Sequence, residues 1–572
     1  MLKGTVVSDG IGIGKVMILN PPSYTYKTSS AYDSNAELER FEAAVDEFCK
    51  NTELKIEKLR SKALEKEIAI LESHIGMLND PSMGGEIKRL ISEGACAETA
   101  VKQVCDMFVQ VFSASDDELL RLKAEDVRSV GYDVTGILSG EYKSTIAEIP
   151  KNTVLVVNEL TPSMVAELDK ERVLAVVSES GGRTSHSAIL LRALEIPAVF
   201  CVENATKLIK DSSTVIVDGN QGLVINAPDS EMLKDYCDKR ENYLNEKHSL
   251  EKLRGEPTQS ASGEKYCLLC NIGDCDEAQK VLEFDGEGVG LFRSELMFME
   301  KSSIPTEDEQ FLAYRKAALI LKNKPLTIRT LDIGGDKNIP YFNLKEESNP
   351  FMGLRGIRYC LKNPEIFKTQ LRAILRAGKF GDVRIMFPFV TCVEELLEGK
   401  RLVEQAKSEL RSQSIEFCEN IKIGVMVETA AAALIAELLA KEADFISIGT
   451  NDLTSYIMAC DRGNGDVSYL YSALQPSVVR SIKHTVECCR ANNIPVGVCG
   501  VTATNPLMIP LFMSFGLNVF SVYPSAVLKV RKMISMWSKA EVDKITETVM
   551  NLSTEVEIRN YLNSVIDKKQ KI

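Results

Sequence analysis

The sequence predicts a multidomain α/β protein: a small α/β domain carrying an inserted helical bundle, then a C-terminal (β/α)8 TIM-like barrel. Three observations predict it. Strand-like runs near the N-terminus resume only after a long stretch of helical periodicity. Residues 230–255 carry charge on every face, as a solvent-bridging linker helix would. Beyond them, eight short apolar runs alternate with helical stretches, which is the arithmetic of a barrel.

Taken in order, residues 5–7 and 15–19 read as strands around a Gly-rich turn formed by Gly10, Gly12 and Gly14. No helix-forming stretch follows closely enough to make that turn a dinucleotide site. From about residue 30, Leu38, Phe41, Val45 and Phe48 recur at three- and four-residue spacing. The pattern continues through Ile75 and again from Ala97 to Phe112, predicting several helices that end near residue 140. Strands resume at 154–157, 173–177, 198–202 and 214–218, so the helices interrupt an α/β domain begun at residue 1. The barrel candidates are 267–270, 288–292, 327–331, 384–387, 424–427, 445–448, 496–498 and 519–520. An open doubly wound sheet gives the same alternation. The residues just past the runs favour the barrel: Arg293 and Glu295, Asp332, Glu428, Asn451 and Asp452, and Cys499. On a parallel barrel these share one rim, the face where barrel enzymes place their chemistry.

Composition narrows the function classes. The 572 residues are 45% hydrophobic and 26% charged, which fits globular domains and excludes a largely disordered chain. The net charge of −13 disfavours nucleic acid and anionic membrane as principal partners. The excess is uneven, because residues 31–140 hold 22 acidic against 13 basic residues. That segment is either a docking surface for a basic protein or a solvated helix face. The first fourteen residues hold a lone Lys3 and several glycines rather than a basic stretch leading into an apolar one, and fifteen cysteines fit a reducing compartment, so a cytoplasmic protein is expected. Residues 491–528 contain no charge, but Pro495, Pro506, Pro510 and Pro524 break them into short pieces, as buried parallel strands would be. No membrane insertion is expected. Cys267 and Cys270 form a CxxC in an apolar run and read as buried thiols rather than a metal site.

Two motifs carry most of the chemistry. In Gly181-Gly182-Arg183-Thr184-Ser185-His186-Ser187, glycines end a strand-like segment, hydroxyls can cap, and an apolar helical stretch follows. His186 then sits at or near a helix N-terminus, where free amides suit a phosphoryl group on an imidazole nitrogen. In Arg329-Thr330-Leu331-Asp332-Ile333-Gly334-Gly335-Asp336-Lys337, an arginine in a strand precedes a glycine pair and a lysine. That pattern binds phosphate or carboxylate through bidentate contacts and backbone amides. Arg293, Arg355, Arg358 and Arg462 add cations near other loops. Each could be a surface ion pair; convergence would imply a small polyanionic substrate. Glu428 and Asp452, with no histidine nearby in sequence, suit an oxygen-ligated ion such as Mg²⁺, or equally a general base. Cys499 at a strand end can donate a proton.

Together with Leu291-Phe292-Arg293-Ser294-Glu295, Asn349-Pro350-Phe351 and Asp461-Arg462-Gly463-Asn464, these motifs make the chain resemble, over nearly its whole length, the Enzyme I family of the bacterial sugar phosphotransferase system, the phosphoenolpyruvate–protein phosphotransferases. The resemblance implies a phosphohistidine swivel domain (1–25 and 145–229), a helical phosphocarrier-binding domain (26–144), a linker helix (230–258) and a phosphoenolpyruvate-binding, dimerising barrel (259–572). It implies that Glu428 and Asp452 hold Mg²⁺ (or Mn²⁺) and that Arg293, Arg329 and Arg462 neutralise the substrate phosphate. Asn451 would position the substrate, with Arg355, Arg358 and Lys337 as further binding residues. His186 would accept the phosphoryl group with Thr184 supporting its ring, and Cys499 would protonate the enolate to pyruvate. The histidine-containing phosphocarrier protein would dock on the helices around His74, the chain would be a homodimer, and the histidine domain would swing between sites.

The chain departs from the family pattern at Val501, where a glutamate is usual, at Gln475 in place of histidine, and at Thr429-Ala430 in place of Val-Pro. Val501 removes a polar group beside the expected proton donor. Two other readings are a pyruvate, phosphate dikinase or phosphoenolpyruvate synthase-like enzyme, which would need an ATP-binding domain ahead of the histidine, and a non-catalytic phosphoenolpyruvate sensor.

Overall fold

The structure, a computed structural model, describes residues 1–19, 33–60, 65–114, 118–140, 149–182, 185–299, 301, 303–334, 339–342, 344–345 and 347–570. The chain divides into two compact units, Met1–Lys247 and His248–Ile572.

In the first unit, β1 (Leu2–Lys3), β2 (Thr5–Ser8), β3 (Ile11–Leu19), β4 (Thr153–Val157), β5 (Val173–Ser178), β6 (Ala198–Phe200), β7 (Thr214–Asp218) and β8 (Leu223–Asn226) form one mixed sheet. Its order is β1-β8-β7-β3-β4-β5-β6-β2, with β3 to β6 parallel. β4 is buried at every residue because alternate side chains feed two cores: Leu155 and Val157 one face, Val154 and Val156 the other. The glycines expected to form a turn do so only at Gly10. Gly12 and Gly14 lie inside β3, where an added Cβ would come within 2.4 Å of Leu174 O and Asn152 O. They are glycine because neighbouring backbone approaches closely, which sequence alone does not distinguish from a turn.

Between β3 and β4 the chain forms α1 (Ser34–Arg60), α2 (Glu65–Asn79), α3 (Gly84–Ser92), α4 (Ala97–Ser113) and α5 (Glu118–Leu138). Their periodic residues make a separate core of Phe41, Phe48, Ile87, Val101, Val104 and Val130. A second face of α1 and α2, through Ile56, Ile68 and Leu71, joins the sheet's core at Leu190, Leu191 and Phe200. This contact brings the bundle against α6 (Pro162–Glu167) and α7 (His186–Ala193), and buried Lys55 pairs with Glu167 at 2.7 Å across it. The helix Ser230–Glu251 is less solvent-bridging than its charge suggests. Its first turns place Met232, Leu233 and Tyr236 against Ile216 and Ile225.

The second unit is a closed parallel barrel of β9 (Cys267–Ile272), β10 (Val289–Arg293), β11 (Leu326–Arg329), β12 (Val383–Phe387), β13 (Lys422–Val427), β14 (Phe445–Gly449), β15 (Val496–Cys499) and β16 (Val519–Val522), with β16 pairing back onto β9. All eight expected runs are barrel strands. The uncharged stretch supplies β15, β16 and the buried helix Ile509–Phe515 between them. Cys270 is buried in β9 and Cys267 half-buried at its start. Among the described residues, no helix is long and apolar enough to cross a membrane.

Candidate active site

Parallel pairing gathers the C-terminal ends of β9–β16 on one rim, and the side chains read past the strands meet there. Arg293 ends β10, Arg329 ends β11 and Cys499 ends β15. Glu428 follows β13, while Asn451 and Asp452 open the helix Thr450–Met458 directly after β14. Arg329, 7% exposed, donates to Glu295 and lies 3.4 Å from Asp332 Oδ2. Arg355 comes from a loop, bridges Asp332 (3.2 Å) and Asp452 (2.9 Å), and stacks on Phe389 at 4.4 Å. Arg462 Nη1 lies 3.8 Å from Asp452 Oδ1. The Nε atoms of Arg293 and Arg329 are buried and find no hydrogen-bond partner among the described residues. A buried donor left unmade costs about 1–3 kcal/mol, so the rim is built to accept oxygens from an anion.

Glu428 is 2% exposed and its Oε1 accepts from Phe389 N at 2.7 Å. Its side chain lies over Gly449, where a Cβ would sit 2.8 Å from Oε2. Burial, and then the charges of Asp452 and Asp332, push its carboxyl above the usual carboxylate range, with Arg329 and Arg355 pulling the other way. A bound cation would relieve both causes. Among the described residues no cluster of three or more His, Cys, Asp or Glu forms a complete metal cage. Two carboxylates that leave the remaining positions to substrate oxygens and water fit Mg²⁺, which keeps several such ligands.

Cys499 is 2% exposed, packs with Leu291, Met386 and Met426, and directs its thiol to Ile448 O at 3.5 Å. Burial pushes the thiol up to about 11, against a lowering hydrogen bond to Ser447, so it keeps its proton at neutral pH. Val501 is 57% exposed. Polar support reaches Cys499 instead through hydroxyls: Thr502 donates to Thr450, and Thr450 donates to the Cys499 carbonyl at 3.1 Å.

The second constellation belongs to the first unit. Ser185 caps α7 by accepting from Ala188 N, which makes His186 its first residue. The His186 ring is partly exposed and its Nδ1 lies 2.9 Å from Asp126 Oδ1 on α5. That hydrogen bond raises the ring above its ordinary value, burial opposes it, and the charges of Asp126 and Glu125 add to it. A small hollow is lined by Glu125, Glu159, Leu160, Thr161, Ser180 and Ser185, the residue that precedes His186.

Arg358 and His74 are both engaged within the fold. Arg358 donates to the carbonyls of Met352 and Gly353 and pairs with Glu395 at 3.6 Å, bracing the loop that carries Arg355. His74 is 1% exposed, so it offers a carrier no open face. Thr184 and Lys337 lie outside the described residues. Sequence reading missed Gln370, which donates to Ser294 Oγ (3.0 Å) and Tyr314 OH (3.2 Å) and accepts from Leu331 N (2.8 Å), tying the ends of β10 and β11 together. It missed Phe389 too, whose φ of +59° aims its amide at Glu428. Neither lies in a recognisable motif.

Comparison with known proteins finds matches across both units. The model of the PEP-utilising enzyme, PEP-binding domain matches residues 247–538, that of the N-terminal domain 3–123, and that of the mobile domain 149–222. By class, then, this is a PEP-utilising enzyme. A phosphoenolpyruvate-protein phosphotransferase of Bacillus subtilis (strain 168) is 41% identical over 562 residues, covering 97% of this chain and 98% of its own. One of Staphylococcus carnosus (strain TM300) is 38% identical over 563 residues, 97% of each chain. A solved structure titled as Enzyme I (nEIt) is 34% identical, with a TM-score of 0.36, over 42% of this chain and 99% of that one. The chain belongs to the phosphoenolpyruvate-protein phosphotransferase family.

Proposed function

We propose that the chain transfers the phosphoryl group of phosphoenolpyruvate to His186 and on to a histidine-containing phosphocarrier protein, releasing pyruvate. The observation that carries this reading is the barrel rim, where Arg293, Arg329, Arg355 and Arg462 converge and two buried guanidinium Nε atoms have no partner among the described residues.

Phosphoryl transfer asks for charge neutralisation and alignment more than covalent chemistry from the protein. Arg293, Arg329 and Arg462 neutralise the substrate phosphate, Asn451 orients it, and Arg355 keeps Asp452 and Asp332 in place. Glu428 and Asp452 would hold Mg²⁺ or Mn²⁺, which when bound supplies Lewis-acid stabilisation of the phosphate and enolate oxygens. Cys499, protonated at neutral pH, gives its proton to the departing enolate. His186 carries the phosphoryl group, with Thr184 as support, and passes it to the carrier docked on the α1–α5 bundle. The family resemblance further supports a homodimer joined through the barrels and a histidine domain that moves between donor and carrier.

The test is to incubate the chain with phosphoenolpyruvate and Mg²⁺ and map the phosphoryl group. An acid-labile, base-stable phosphate on the His186 peptide is expected. Its absence, or a requirement for ATP with inorganic phosphate, would overturn the reading.

A further inference from the structure

Arg293 and Arg329 end neighbouring parallel strands and stand directly opposite each other in the register of β10 and β11. Like charges so placed repel, and each keeps a buried Nε with no partner among the described residues. The register of β10 also shifts, between Val289 and Phe292 against β11 and between Val289 and Leu291 against β9. A slip of one residue would turn Arg293 to the other face of its strand. Some contact past the irregularity has to hold the two ends in step.

A buried amide makes that contact. Gln370, on the helix Pro364–Ala377, is 1% exposed and its Oε1 accepts from Leu331 N at 2.8 Å. A backbone N–H can only donate, which fixes the amide's orientation. Its Nε2 donates to Ser294 Oγ at 3.0 Å, and Ser294 in turn donates to the Arg329 carbonyl at 2.6 Å. Ser294 lies between Arg293 and Glu295, and Glu295 accepts from the Arg329 guanidinium. The end of β10 thus grips Arg329 by backbone and by side chain, and Gln370 spans both strand ends. Resting on the function proposed above, we propose that Gln370 is a positioning residue. Through Ser294 it holds Arg293 and Arg329 at the separation that receives the phosphate of phosphoenolpyruvate.

Two guanidinium groups bind one phosphate well only when both reach its oxygens together, and a misplacement of about 1 Å can cost 10²-fold. The support for that separation is stiff. Phe367, Leu371 and Ile374 of the same helix are buried in the barrel core, so Gln370 is anchored on either side along the chain. The other Nε2 hydrogen goes to Tyr314 OH at 3.2 Å, and Tyr314 donates to Gln310 Oε1 at 3.4 Å. Both partners belong to the helix Glu307–Leu321 and are fully buried. Removing the Tyr314 hydroxyl would leave its ring edge-on to Phe292, 5.7 Å away, and leave Gln370 its bonds to both strand ends. Tyr314 therefore separates a role in stability from a role in register.

The test uses the full chain with Mg²⁺ and saturating carrier, and reads the KM for phosphoenolpyruvate from pyruvate release. Thermal midpoints and the rate of transfer from phosphorylated carrier back to His186 are measured beside it. Gln370→Met keeps the side chain's length and loses every bond of the amide. Its KM should rise about ten-fold, the worth of one hydrogen bond to a charged group, while back-transfer, which does not use the barrel, stays at the wild-type rate. Ser294→Ala should show the same rise, and Ser294→Thr, which restores a hydroxyl, should reverse most of it. Tyr314→Phe should lower the thermal midpoint without moving KM. If Gln370→Met fails to fold, the two Ser294 variants and Tyr314→Phe decide the matter. An unchanged KM in folded Gln370→Met or Ser294→Ala, or an equal rise in Tyr314→Phe, would make the network structural only and overturn the inference. A wild-type chain that takes no phosphoryl group from phosphoenolpyruvate would instead overturn the function proposed above, and this role with it.

Discussion

Glu428 is held on the rim in surroundings that disfavour its charge. It is a buried carboxylate beside Asp452 and Asp332, relieved only in part by Arg329 and Arg355. Glu428→Gln keeps an oxygen for Phe389 N and removes the charge. Phosphorylation from phosphoenolpyruvate should fall by about 10³-fold, while the thermal midpoint should be no lower than that of the wild type. Retained phosphorylation in this variant would exclude Glu428 from the site. The His186–Asp126 pair gives a second residue-level expectation, in pH. The His186 value is raised, so its contribution is complete below the unfolded value of about 6.5 and is lost as pH rises through the folded one. The Asp126 value is lowered, so its contribution is present above about 3.9 and is lost as pH falls through the folded one. The stability difference between wild type and Asp126→Asn should therefore be greatest between about pH 4 and 6.5 and shrink toward pH 9 in denaturant titrations; a constant difference would contradict the pairing. At this scale the sequence revealed residues that announce themselves locally: His186 after a glycine–hydroxyl run, and Arg293, Glu428, Asp452 and Cys499 at strand ends. It hid Asp126, which sits mid-helix with no flanking motif and meets its partners 52 and 60 residues away.

Among the elements, the barrel strands were legible because parallel strands buried on both faces are nearly continuous apolar runs. β1, two residues long, was too short to register, and β8 went unread although strands as short were found. The glycines of β3 were legible as glycines and misread in purpose, since a turn and a close backbone approach select the same residue. Gly12→Ala tests the difference. Its Cβ would meet a backbone oxygen rather than a flexible side chain, so β3 must shift, at a cost of about 2–3 kcal/mol. Urea unfolding of the full chain should show the first unit's transition move to lower urea, and an unmoved transition would return these glycines to a turn role.

For the whole molecule, the discontinuity of the α/β domain was readable from the interruption of strands by helices, because β3 and β4 are neighbours in the sheet although α1 to α5 lie between them in the chain. The charge distribution was equally visible. Residues 31–140 hold 22 of the 81 acidic residues but 13 of the 68 basic ones, and Glu39, Glu42, Asp46 and Glu53 of α1 are exposed. If this bundle meets the carrier, affinity should fall several-fold between about 0.05 and 0.5 M salt, where the Debye length shortens to a few ångströms. Affinity indifferent to salt in titration calorimetry would leave those charges as solvation only.

We propose that donor chemistry on the barrel and acceptor chemistry at His186 are halves of one reaction. Mixing the chain with excess phosphoenolpyruvate and Mg²⁺, without carrier, and timing pyruvate release measures that directly. A burst of one pyruvate per chain is expected, lost in both His186→Gln and Glu428→Gln. An undiminished burst from folded His186→Gln would contradict that coupling, because the phosphoryl group would then have gone elsewhere.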